Sequence, residues 1–381
     1  MTFSTTSLRK RALFKGVIVL LFLSVGGKCE PVAPGKTADG FLLPQPGHTF
    51  SFPADLGSHP GFRIEWWYVT GHLQSPDRKR FGFEATFFRV AGPGHSPETA
   101  PLFSKDQLYL AHMAVSDIPG GRFLFEERLN RQGWDADSAV GSLSIRNGSW
   151  SLASKAGAAT ALVVRGSVRS EAAFDLTLEP RKPLVVFGDD GVSHKGKEAS
   201  AASYYLTYSR LDASGSLTLG DQTYAVTGEA WMDHEISSSQ LGGGEVGWDW
   251  VSIQLKDDPR ELMLYRLRHA DGTADAASKL QWVSPRGKAQ TAPFDWQVLS
   301  SWKSPGTGAL YPARVRVTTR DPDTGKQVSY VLEPLLADQE LAGGMGAGAY
   351  WEGACRVLDG SGKDVGSAYM ELTGYATPMK L

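Results

Sequence analysis

Hydrophobic and polar residues alternate with a period of two along many short segments of the chain. Residues 174–178 read FDLTL, and residues 314–317 read RVRV. Such alternation is typical of β-strands with one buried and one solvated face, whereas no long segment shows the 3.6-residue period of an amphipathic helix. Turns rich in Gly, Asp, Asn and Ser separate these segments about every 8–12 residues, which indicates antiparallel barrels or sandwiches.

The same pattern, together with β-branched and aromatic residues, predicts strands throughout the chain after Phe62. The predicted strand segments are 62–74, 80–90, 108–118, 121–129, 141–152, 161–170, 172–180, 203–211, 222–233, 247–255, 261–269, 279–284, 313–319, 328–336, 350–358 and 367–376. Residues 31–60 are rich in Pro and Gly and predict an extended lead-in. The sequence therefore predicts an all-β fold.

The first 29 residues have the pattern of a secretory signal peptide. Basic residues at positions 9–15 precede the apolar run GVIVLLFLSVGG at 16–27, which is too short to span a bilayer comfortably. We therefore expect export to the periplasm or beyond, with segment 1–29 removed. Cys29 follows the run as in a lipoprotein, but Lys28 stands where a lipidation site has a small residue, which argues against a lipid anchor. A disulfide with Cys355 is an alternative in an oxidising compartment.

The composition is that of an ordinary soluble protein. Hydrophobic residues make up 41% of the 381 residues, charged residues make up 21%, and the formal net charge is −2. Nothing in this balance favours nucleic acid or an anionic membrane surface as a partner. No segment after the signal peptide approaches transmembrane length. The 43 glycines, 11 tryptophans and 12 tyrosines are typical of short strands joined by tight turns.

A faint internal repeat divides the chain in two. Residues 204–233 begin YYLTYSRLDASG and end GEAWMD, and residues 350–371 begin YWEGACRVLDGSG and end GSAYME. Both run from an aromatic pair through an Asp/Ser/Gly turn to Gly-x-Ala-aromatic-Met-acid, so Asp233 and Glu371 are equivalent positions. The repeat predicts two similar β-domains, 30–236 and 237–381, which join at the linker-like stretch SSSQLGGGE.

Several motifs resemble a known family of lipocalin-like proteins. They are GFRIEWWYVTGHL (61–73), LAHMAVSD (110–117), GEAWMDHE (228–235), GWDWVSIQL (247–255), ELMLYRLR (261–268), and YWEGAC with YMELTGY near the end. The family includes carotenoid 1,2-hydratase, the AttH proteins and a group named predicted secreted hydrolases, and the chain is more similar to the last two. The resemblance covers about residues 45–378. It implies two tandem lipocalin-like antiparallel β-barrels.

The resemblance also implies a catalytic acid. In the hydratases, an aspartate in the stretch that matches AWMD is proposed to protonate the terminal alkene of the substrate. The matching residue here is Asp233, with Trp231 at the neighbouring aromatic position. The hydratases also place a histidine and an aromatic residue on a strand just upstream. That strand aligns loosely with Tyr204–Tyr205, in a stretch without histidine, and makes Tyr205 the third catalytic candidate.

The residue types around Asp233 suit acid catalysis on an apolar molecule. Burial raises the pKa of a carboxyl group because desolvation disfavours the charged form, and the group can then donate a proton near neutral pH. Aromatic faces such as those of Trp248 and Trp250 stabilise positive charge. Such chemistry requires no metal or organic cofactor. Alternation puts Asp233 on the same strand face as Trp231, so if Trp231 points into a barrel, Asp233 does too. The alternative is a surface acid or a turn-capping residue.

The motif IEWWY contributes candidates for ligand binding. Alternation puts Glu65 and Trp67 on one strand face and Tyr68 on the other. An acid next to two tryptophans is a candidate for the lining of the first barrel. Alternatively, Glu65 pairs with Arg63 or with an arginine of another strand, such as Arg89.

Three further groups of polar residues have both a functional and a structural interpretation. His112 lies between apolar residues and is either a ligand-binding residue or a satisfied core histidine. Asp249 alternates away from Trp248 and Trp250, which predicts structural hydrogen bonds at a barrel rim or domain interface. The run DHE at 233–235 does not predict a metal site, because consecutive strand residues diverge and no second ligand motif such as HExxH is present.

The remaining motifs restrict the functions. No GxSxG nucleophile elbow is present, so a serine or metallo-hydrolase is not predicted. We predict an exported protein that binds a small hydrophobic, isoprenoid- or lipid-like molecule, in a barrel or at the domain interface. If it is an enzyme, it is a hydro-lyase that hydrates an alkene. The alternatives are a non-catalytic carrier of the cell envelope and a structural protein whose barrels are filled by their own side chains.

Overall fold

A computed structural model of the protein describes residues 35–92, 107–133, 135–196, 198, 200–239, 241–343 and 348–379. The predicted signal peptide, including Cys29, lies outside these residues. Within them, the only helix is a 3-10 turn at Ala54–Leu56. No helix of the described ranges has the length and apolar character needed to cross a membrane.

The first sheet is antiparallel, and its thirteen strands lie in the described residues between 64 and 239. These strands are β1 (Ile64–Gln74), β2 (Arg80–Ala91), β3 (Gln107–Asp117), β4 (Arg122–Arg131), β5 (Ala136–Ser138), β6 (Ser144–Asn147), β7 (Trp150–Ser154), β8 (Leu162–Val168), β9 (Ala172–Pro180), β10 (Val185–Phe187), β11 (Ser193–His194), β12 (Ala202–Leu219) and β13 (Gln222–Ser239). Their order is β4-β3-β2-β1-β13-β12-β9-β8-β7-β6-β5, and β10 and β11 pair with β12. The sheet curls so that β3 and β4 contact β6 and β8.

The second sheet is also antiparallel and has ten strands in the described residues between 245 and 372. They are β14 (Glu245–Leu255), β15 (Glu261–His269), β16 (Lys279–Val283), β17 (Ala289–Ala292), β18 (Phe294–Lys303), β19 (Leu310–Arg320), β20 (Gln327–Pro334), β21 (Glu340–Leu341), β22 (Tyr350–Leu358) and β23 (Asp364–Leu372). Their order is β17-β16-β15-β14-β23-β22-β20-β19-β18, and β21 pairs with β22. The run β14-β23-β22 repeats the run β1-β13-β12 of the first sheet, so Asp233 and Glu371 occupy equivalent strands.

The all-β fold with two barrel-like antiparallel sheets is confirmed. Each predicted strand segment overlaps an observed strand, but the short strands β5, β10, β11, β17 and β21 were not predicted, and neither was the longer strand β18. Most residues of β18 are exposed, and the pairing of β18 with β19 shifts register near Ser300. The sequence of β18 therefore lacks a regular alternation. The first sheet ends at Ser239 and the second begins at Glu245. The predicted boundary at 236/237 therefore falls inside β13.

Side chains from the inner strand faces fill both barrels. Large side chains in the first barrel include Trp67, Phe81, Phe83, Phe87, Tyr109, Trp150, Phe174 and Met232. In the second barrel the largest are Trp282, Tyr311, Trp351 and Met370, with Cys355 buried among them. These aromatic and aliphatic groups occupy the interiors in which a lipocalin-like barrel would hold its ligand.

Asn147 connects the two edges of the curled first sheet. Its amide nitrogen donates to the carbonyl oxygens of Tyr109 at 3.0 Å and Arg128 at 3.3 Å. Its amide oxygen accepts a 2.6 Å hydrogen bond from Asn130. Because the side chain is buried, these bonds satisfy backbone groups that water does not reach.

The two sheets pack together through their outer faces. β9 alternates between buried and exposed residues, as expected for a strand with one solvated face. By contrast, residues 230–238 of β13 and 249–255 of β14 are all buried, since a barrel covers one face and the other sheet covers the second. Gly82 permits this approach, because a Cβ there would lie 2.8 Å from the Cβ of Ala354 on β22.

A buried network of ion pairs also links the two sheets. A β-bulge sets Ser209 and Arg210 of β12 opposite the single residue Trp231 of β13, which turns Arg210 towards the second sheet. Its Nε donates to Glu261 Oε1 at 2.7 Å. The ammonium of Lys182 and the hydroxyl of Ser209 donate to the other oxygen of Glu261. The carboxylate is thus fully paired in a buried site.

We expect Arg210→Ala to lower the free energy of unfolding by about 3 kcal/mol, because it leaves the buried carboxylate of Glu261 with one cation. Urea denaturation followed by tryptophan fluorescence measures this. Arg181→Ala is the matched control, since Arg181 pairs with Asp212 and Glu229 at the half-exposed surface and contributes about 1 kcal/mol or less. Equal losses in the two variants would contradict a structural role for the buried pair.

Candidate functional site

A cavity of about 490 Å³ lies between the outer faces of the two sheets. A volume of this size suits a small-molecule ligand. The cavity is therefore at the domain interface, which was one of the two predicted places, and not inside a barrel. Cross-strand pairing arranges its walls in layers.

The deep layer combines aromatic and acidic side chains. Tyr68 on β1 lies opposite Asp233 on β13 and opposite Thr86 on β2. On the second sheet, Trp250 of β14 lies opposite Glu371 of β23. All five residues line the cavity. The rings of Tyr68 and Trp250 meet edge to face, with centroids 5.1 Å apart, and so join the two sheets at this depth.

The next layer is more apolar and more exposed. Trp66 on β1 lies opposite Phe88 on β2 and Glu235 on β13, and Trp248 on β14 lies opposite Leu267 on β15. The two tryptophans and Phe88 are partly exposed, whereas Tyr68, Asp233 and Trp250 are buried. An apolar molecule that enters past these rings meets the carboxyl groups at the deep end.

Three hydrogen bonds hold the carboxyl group of Asp233. Trp231 Nε1 and Thr207 Oγ1 donate to Oδ1 at 2.8 and 2.5 Å, and the Tyr205 hydroxyl donates to Oδ2 at 2.7 Å. Trp250 Nε1 donates to the Tyr205 oxygen at 2.8 Å. The structure thus brings together the three predicted catalytic residues, Asp233, Trp231 and Tyr205, and adds Thr207 and Trp250.

The sequence left the orientation of this group open. Trp231 and Asp233 do share a strand face, but the face points out of the first barrel, while Met232 between them packs inside it. On a strand that is buried on both sides, alternation fixes which residues share a face. It does not show which face is the inner one.

Burial raises the pKa of Asp233 to about 7. The hydrogen bonds from Thr207, Tyr205 and Trp231 act in the opposite direction, and the nearby charge of Glu235 adds to the rise. A substantial fraction of Asp233 is therefore protonated at neutral pH, as a general acid requires.

Glu371 is the second acid of the deep layer. Burial raises its pKa to about 7 against a hydrogen bond from Trp248, and the charges of Glu235 and Asp233 raise it further. Trp248 Nε1 donates to Oε2 at 3.0 Å. Although the internal repeat had marked Glu371 as the equivalent of Asp233, it was not predicted as a site residue.

Lys195 places one positive charge beside these acids. Its ammonium lies 3.2 Å from Glu235 Oε2 and over the rings of Tyr265 and Tyr205, at 4.1 and 4.5 Å from their centroids. The Ser203 hydroxyl donates to the same oxygen of Glu235 at 2.5 Å. Lys195 was not predicted because the loop GVSHKGKEAS has no recognisable motif. Its pairing satisfies Glu235, and no cation of the described residues contacts Asp233.

The predicted ligand-binding residues Glu65 and Trp67 do not line the cavity. They lie on the inner face of β1, where Trp67 stacks on His234 with ring centroids 4.6 Å apart. Glu65 accepts from Arg89 Nε at 2.9 Å and pairs with His234 Nε2 at 3.0 Å. Despite complete burial, the charge of Arg89 and the hydrogen bond of His234 hold the pKa of Glu65 well below its usual range. The alternative pairing with Arg89 is the correct one.

Among the residues that the structure describes, two groups of side chains have the composition of a metal site. His59, Glu65 and His234 bring three potential ligand atoms within 4.8 Å of one another, and so do Glu245, His269 and Asp275. In the first group, the Arg89 guanidinium already neutralises the carboxylate. The carboxyl groups of Asp233 and Glu235 belong to neither group, because they face the cavity on the other side of β13.

His112 lies behind the cavity wall and not in it. Its Nδ1 is 2.6 Å from the Tyr350 hydroxyl, and Tyr350 lines the cavity. Its Nε2 lies 3.4 Å from Glu127 Oε1. Burial lowers the pKa of His112 to about 3, so the ring is neutral and acts as a hydrogen-bonding support for Tyr350. Of the other predicted ligand-binding residues, Tyr68, Trp248 and Trp250 do line the cavity.

Asp249 has the structural role that its alternation predicted. Its carboxylate pairs with Arg266 at 2.9 Å and Arg268 at 3.1 Å, and it accepts a 2.8 Å hydrogen bond from the Tyr375 hydroxyl. Asp249 is buried and lies on the strand face opposite Trp248 and Trp250.

Two further carboxyl groups lie near the deep layer. Burial raises the pKa of Glu84 and Glu352 well above the usual range, and the charge of Glu371 adds to the rise in both. The Tyr68 hydroxyl donates to Glu352 Oε1 at 2.5 Å, and Thr86 donates to Glu84. The interface therefore holds several carboxyl groups whose pKa is raised by burial.

The comparisons with known proteins agree with this architecture. The AttH-like family model matches residues 43–375. The solved structure of an AttH protein from Nitrosomonas europaea is 33% identical, with a TM-score of 0.75, over 88% of this chain and 100% of that chain. Kievitone hydratase from Nectria haematococca has a TM-score of 0.62 at 13% identity, over 89% of this chain and 98% of its own. At that identity the likeness shows the fold alone.

One curated relative is similar over a shorter segment. The ceramide-binding protein svf1 of Aspergillus fumigatus is 23% identical over 109 residues, which make up 28% of this chain. The match spans 28% of the length of that relative.

The raised pKa of Glu371 predicts a specific pH dependence of stability. The folded state holds this proton up to about pH 7, whereas an ordinary glutamic acid loses it near 4.5. Between these values the folded state binds more protons, so the free energy of unfolding falls as pH rises, by up to about 1.4 kcal/mol per unit. We expect Glu371→Gln to lose the share of this slope that Glu371 contributes, while buried Asp233 keeps its own share, and to be more stable than the wild type between pH 5 and 7.

Urea denaturation at pH 5, 6, 7 and 8 tests this expectation. Glu179→Gln, an exposed acid on β9, is the matched control and should keep the wild-type slope. Parallel curves for wild type and Glu371→Gln would show that the pKa of Glu371 is not raised.

Proposed function

The chain belongs to the AttH-like family, and on that premise we propose that it binds a small hydrophobic molecule between its two sheets and hydrates an alkene of that molecule by acid catalysis. The observation that carries the proposal is Asp233, a carboxyl group that holds a proton near neutral pH at the deep end of a largely apolar cavity. The known function of kievitone hydratase, a structural neighbour, is consistent with such chemistry on this fold.

The walls of the cavity favour an isoprenoid- or lipid-like ligand. Trp66, Phe88, Trp248 and Leu267 form an apolar passage to the deep layer. Burial of apolar ligand surface there contributes about 25 cal/mol per Å². The polar groups are concentrated at the deep end of the cavity. An apolar chain that enters with its double bond first therefore places the reactive carbon atoms beside the acids.

Tyr205 offers a path for the proton. Its hydroxyl donates to Asp233 Oδ2 when Asp233 is ionised. When Asp233 is protonated, the carboxylic acid can donate to the Tyr205 oxygen instead, and the hydroxyl hydrogen turns towards the cavity. Transfer of that hydrogen to the alkene, with the Asp233 proton moving to Tyr205, leaves a carbocation and an ionised Asp233. Trp250 Nε1 holds the Tyr205 oxygen in place throughout.

The surrounding rings suit the carbocation. Tyr68, Trp250, Trp66 and Trp248 all line the cavity, and each aromatic face stabilises an adjacent positive charge by about 0.5–2 kcal/mol. The ionised Asp233 adds attraction in a site of low dielectric. Addition of water to the cation and loss of one proton complete the hydration.

A second candidate function is carriage without chemistry. The ceramide-binding relative is similar over a segment of this chain, and a carrier needs the apolar passage but no protonated acid. The two functions differ in what Asp233 does, so one substitution separates them. We further propose export to the periplasm or beyond, on the basis of the basic and apolar pattern of residues 9–27.

We expect Asp233→Asn to abolish hydration and to leave ligand binding within about threefold. The variant would be incubated with an apolar extract of the producing cells in H₂¹⁸O, and mass spectrometry would detect products heavier by one labelled water. Binding would be followed by native mass spectrometry. Because Asp233 must be protonated, the wild-type rate should fall as pH rises through about 7.

Asp221→Asn, in the exposed turn between β12 and β13, is the control and should behave as the wild type. Undiminished hydration by Asp233→Asn would rule out Asp233 as the acid. Ligand binding by the wild type without any labelled product would favour the carrier.

A further inference from the structure

The two acids of the deep layer differ in how many hydrogen bonds their oxygen atoms already accept. Both oxygens of Asp233 accept hydrogen bonds, from Trp231, Thr207 and Tyr205. Glu371 accepts one, from Trp248 to Oε2. Among the described residues no donor contacts Oε1 of Glu371. Since Glu371 lines the cavity, this oxygen has room to accept a hydrogen from a water molecule or a ligand.

The acids also face the cavity from different sheets. Asp233 belongs to β13 of the first sheet and Glu371 to β23 of the second. A chain of neighbours joins them, because Trp250 lies beside Glu371 on the adjacent strand and donates to Tyr205, which in turn bonds Asp233. A flat alkene between the sheets would therefore present one face to Tyr205 and Asp233 and the other towards Glu371.

Glu235 does not compete for this role. Its Oε2 is held by the Lys195 ammonium and the Ser203 hydroxyl. This oxygen is therefore already occupied, and it is less available to orient an attacking water. Glu371 has no cation partner among the described residues.

We propose that Glu371 is the catalytic base that takes a proton from the attacking water, opposite the proton donor formed by Asp233 and Tyr205. This inference rests on the proposed hydration. The Tyr205 hydrogen forms the new C–H bond, and Asp233 restores the Tyr205 proton. The water oxygen forms the C–O bond with the resulting cation while Glu371 accepts one water proton. The products are an alcohol, an ionised Asp233 and a protonated Glu371, and proton exchange with solvent resets both acids.

The charge of Asp233 raises the pKa of Glu371, so the state in which both acids are ionised is disfavoured. The state with Asp233 protonated and Glu371 ionised is the reactive one. A substrate held between opposite sheets then receives hydrogen and hydroxyl on opposite faces, which is an anti addition.

The test separates protonation from water attack. Wild type, Glu371→Gln and Asp233→Asn would be incubated in D₂O with the same apolar cell extract. Mass spectrometry would report two products: alkene that has exchanged hydrogen for deuterium, and alcohol. We expect Glu371→Gln to keep exchange within about threefold and to lose at least about 100-fold in alcohol formation, the usual contribution of a general base. Asp233→Asn should lose both.

The pH profile gives an independent signature. Because the reaction needs an ionised Glu371 and a protonated Asp233, the rate of the wild type should rise and then fall with increasing pH. In Glu371→Gln the rising limb of this pH profile should be lost. Glu371→Asp retains a carboxylate and serves as the conservative variant, with slower alcohol formation and unchanged exchange. It also keeps the test informative if Glu371→Gln does not fold. Glu179→Gln is the surface control.

The possible results distinguish failure of the proposed base from failure of the proposed hydration. Exchange without alcohol in Glu371→Gln supports the base. Wild-type alcohol formation by Glu371→Gln, or equal loss of exchange and alcohol in both Glu371 variants, overturns it and leaves the proposed hydration in place. A wild type that neither exchanges nor hydrates overturns the proposed function, and the base with it.

Discussion

The burial of both faces of the strands that join the two sheets governs the rest of the structure. One face of β1, β13 and β14 fills a barrel, so the other must be covered by the opposite sheet. Any acid on that outer face is desolvated without becoming part of a barrel core. Asp233 and Glu371 occupy this position, and their chemistry follows from it.

Cations decide which of the buried acids stay ionised. Glu65 lies against Arg89, and this pairing outweighs its desolvation. Within the described part of the chain, Asp233 receives only neutral donors and Glu371 receives one neutral donor, so burial prevails in both. The fold therefore distinguishes structural from reactive carboxyl groups by the placement of a few positive charges, although all of these acids are buried.

Local patterns were sufficient to predict most of the fold, because alternation and turn residues are properties of short segments. They also placed Asp233 beside Trp231 and found its equivalence with Glu371. They did not show that this face points out of the barrel, because alternation with a period of two does not distinguish the two faces of a strand. The partner of Glu65 and the approach of Lys195 depend on contacts between distant segments. The sequence therefore identified Asp233 and its aromatic neighbours, but only part of the residues that line the cavity.

The internal repeat explains why the cavity has two acids and why their roles differ. Equivalent strands bring Asp233 and Glu371 to equivalent depths from opposite sheets, so the repeated strand order alone yields a symmetric pair. The neighbours break the symmetry. Tyr205, Thr207 and Trp231 occupy both oxygens of Asp233, whereas Glu371 keeps one oxygen open. A carboxyl group surrounded by donors can pass its proton through one of them, and a carboxylate with an open oxygen can receive one directly.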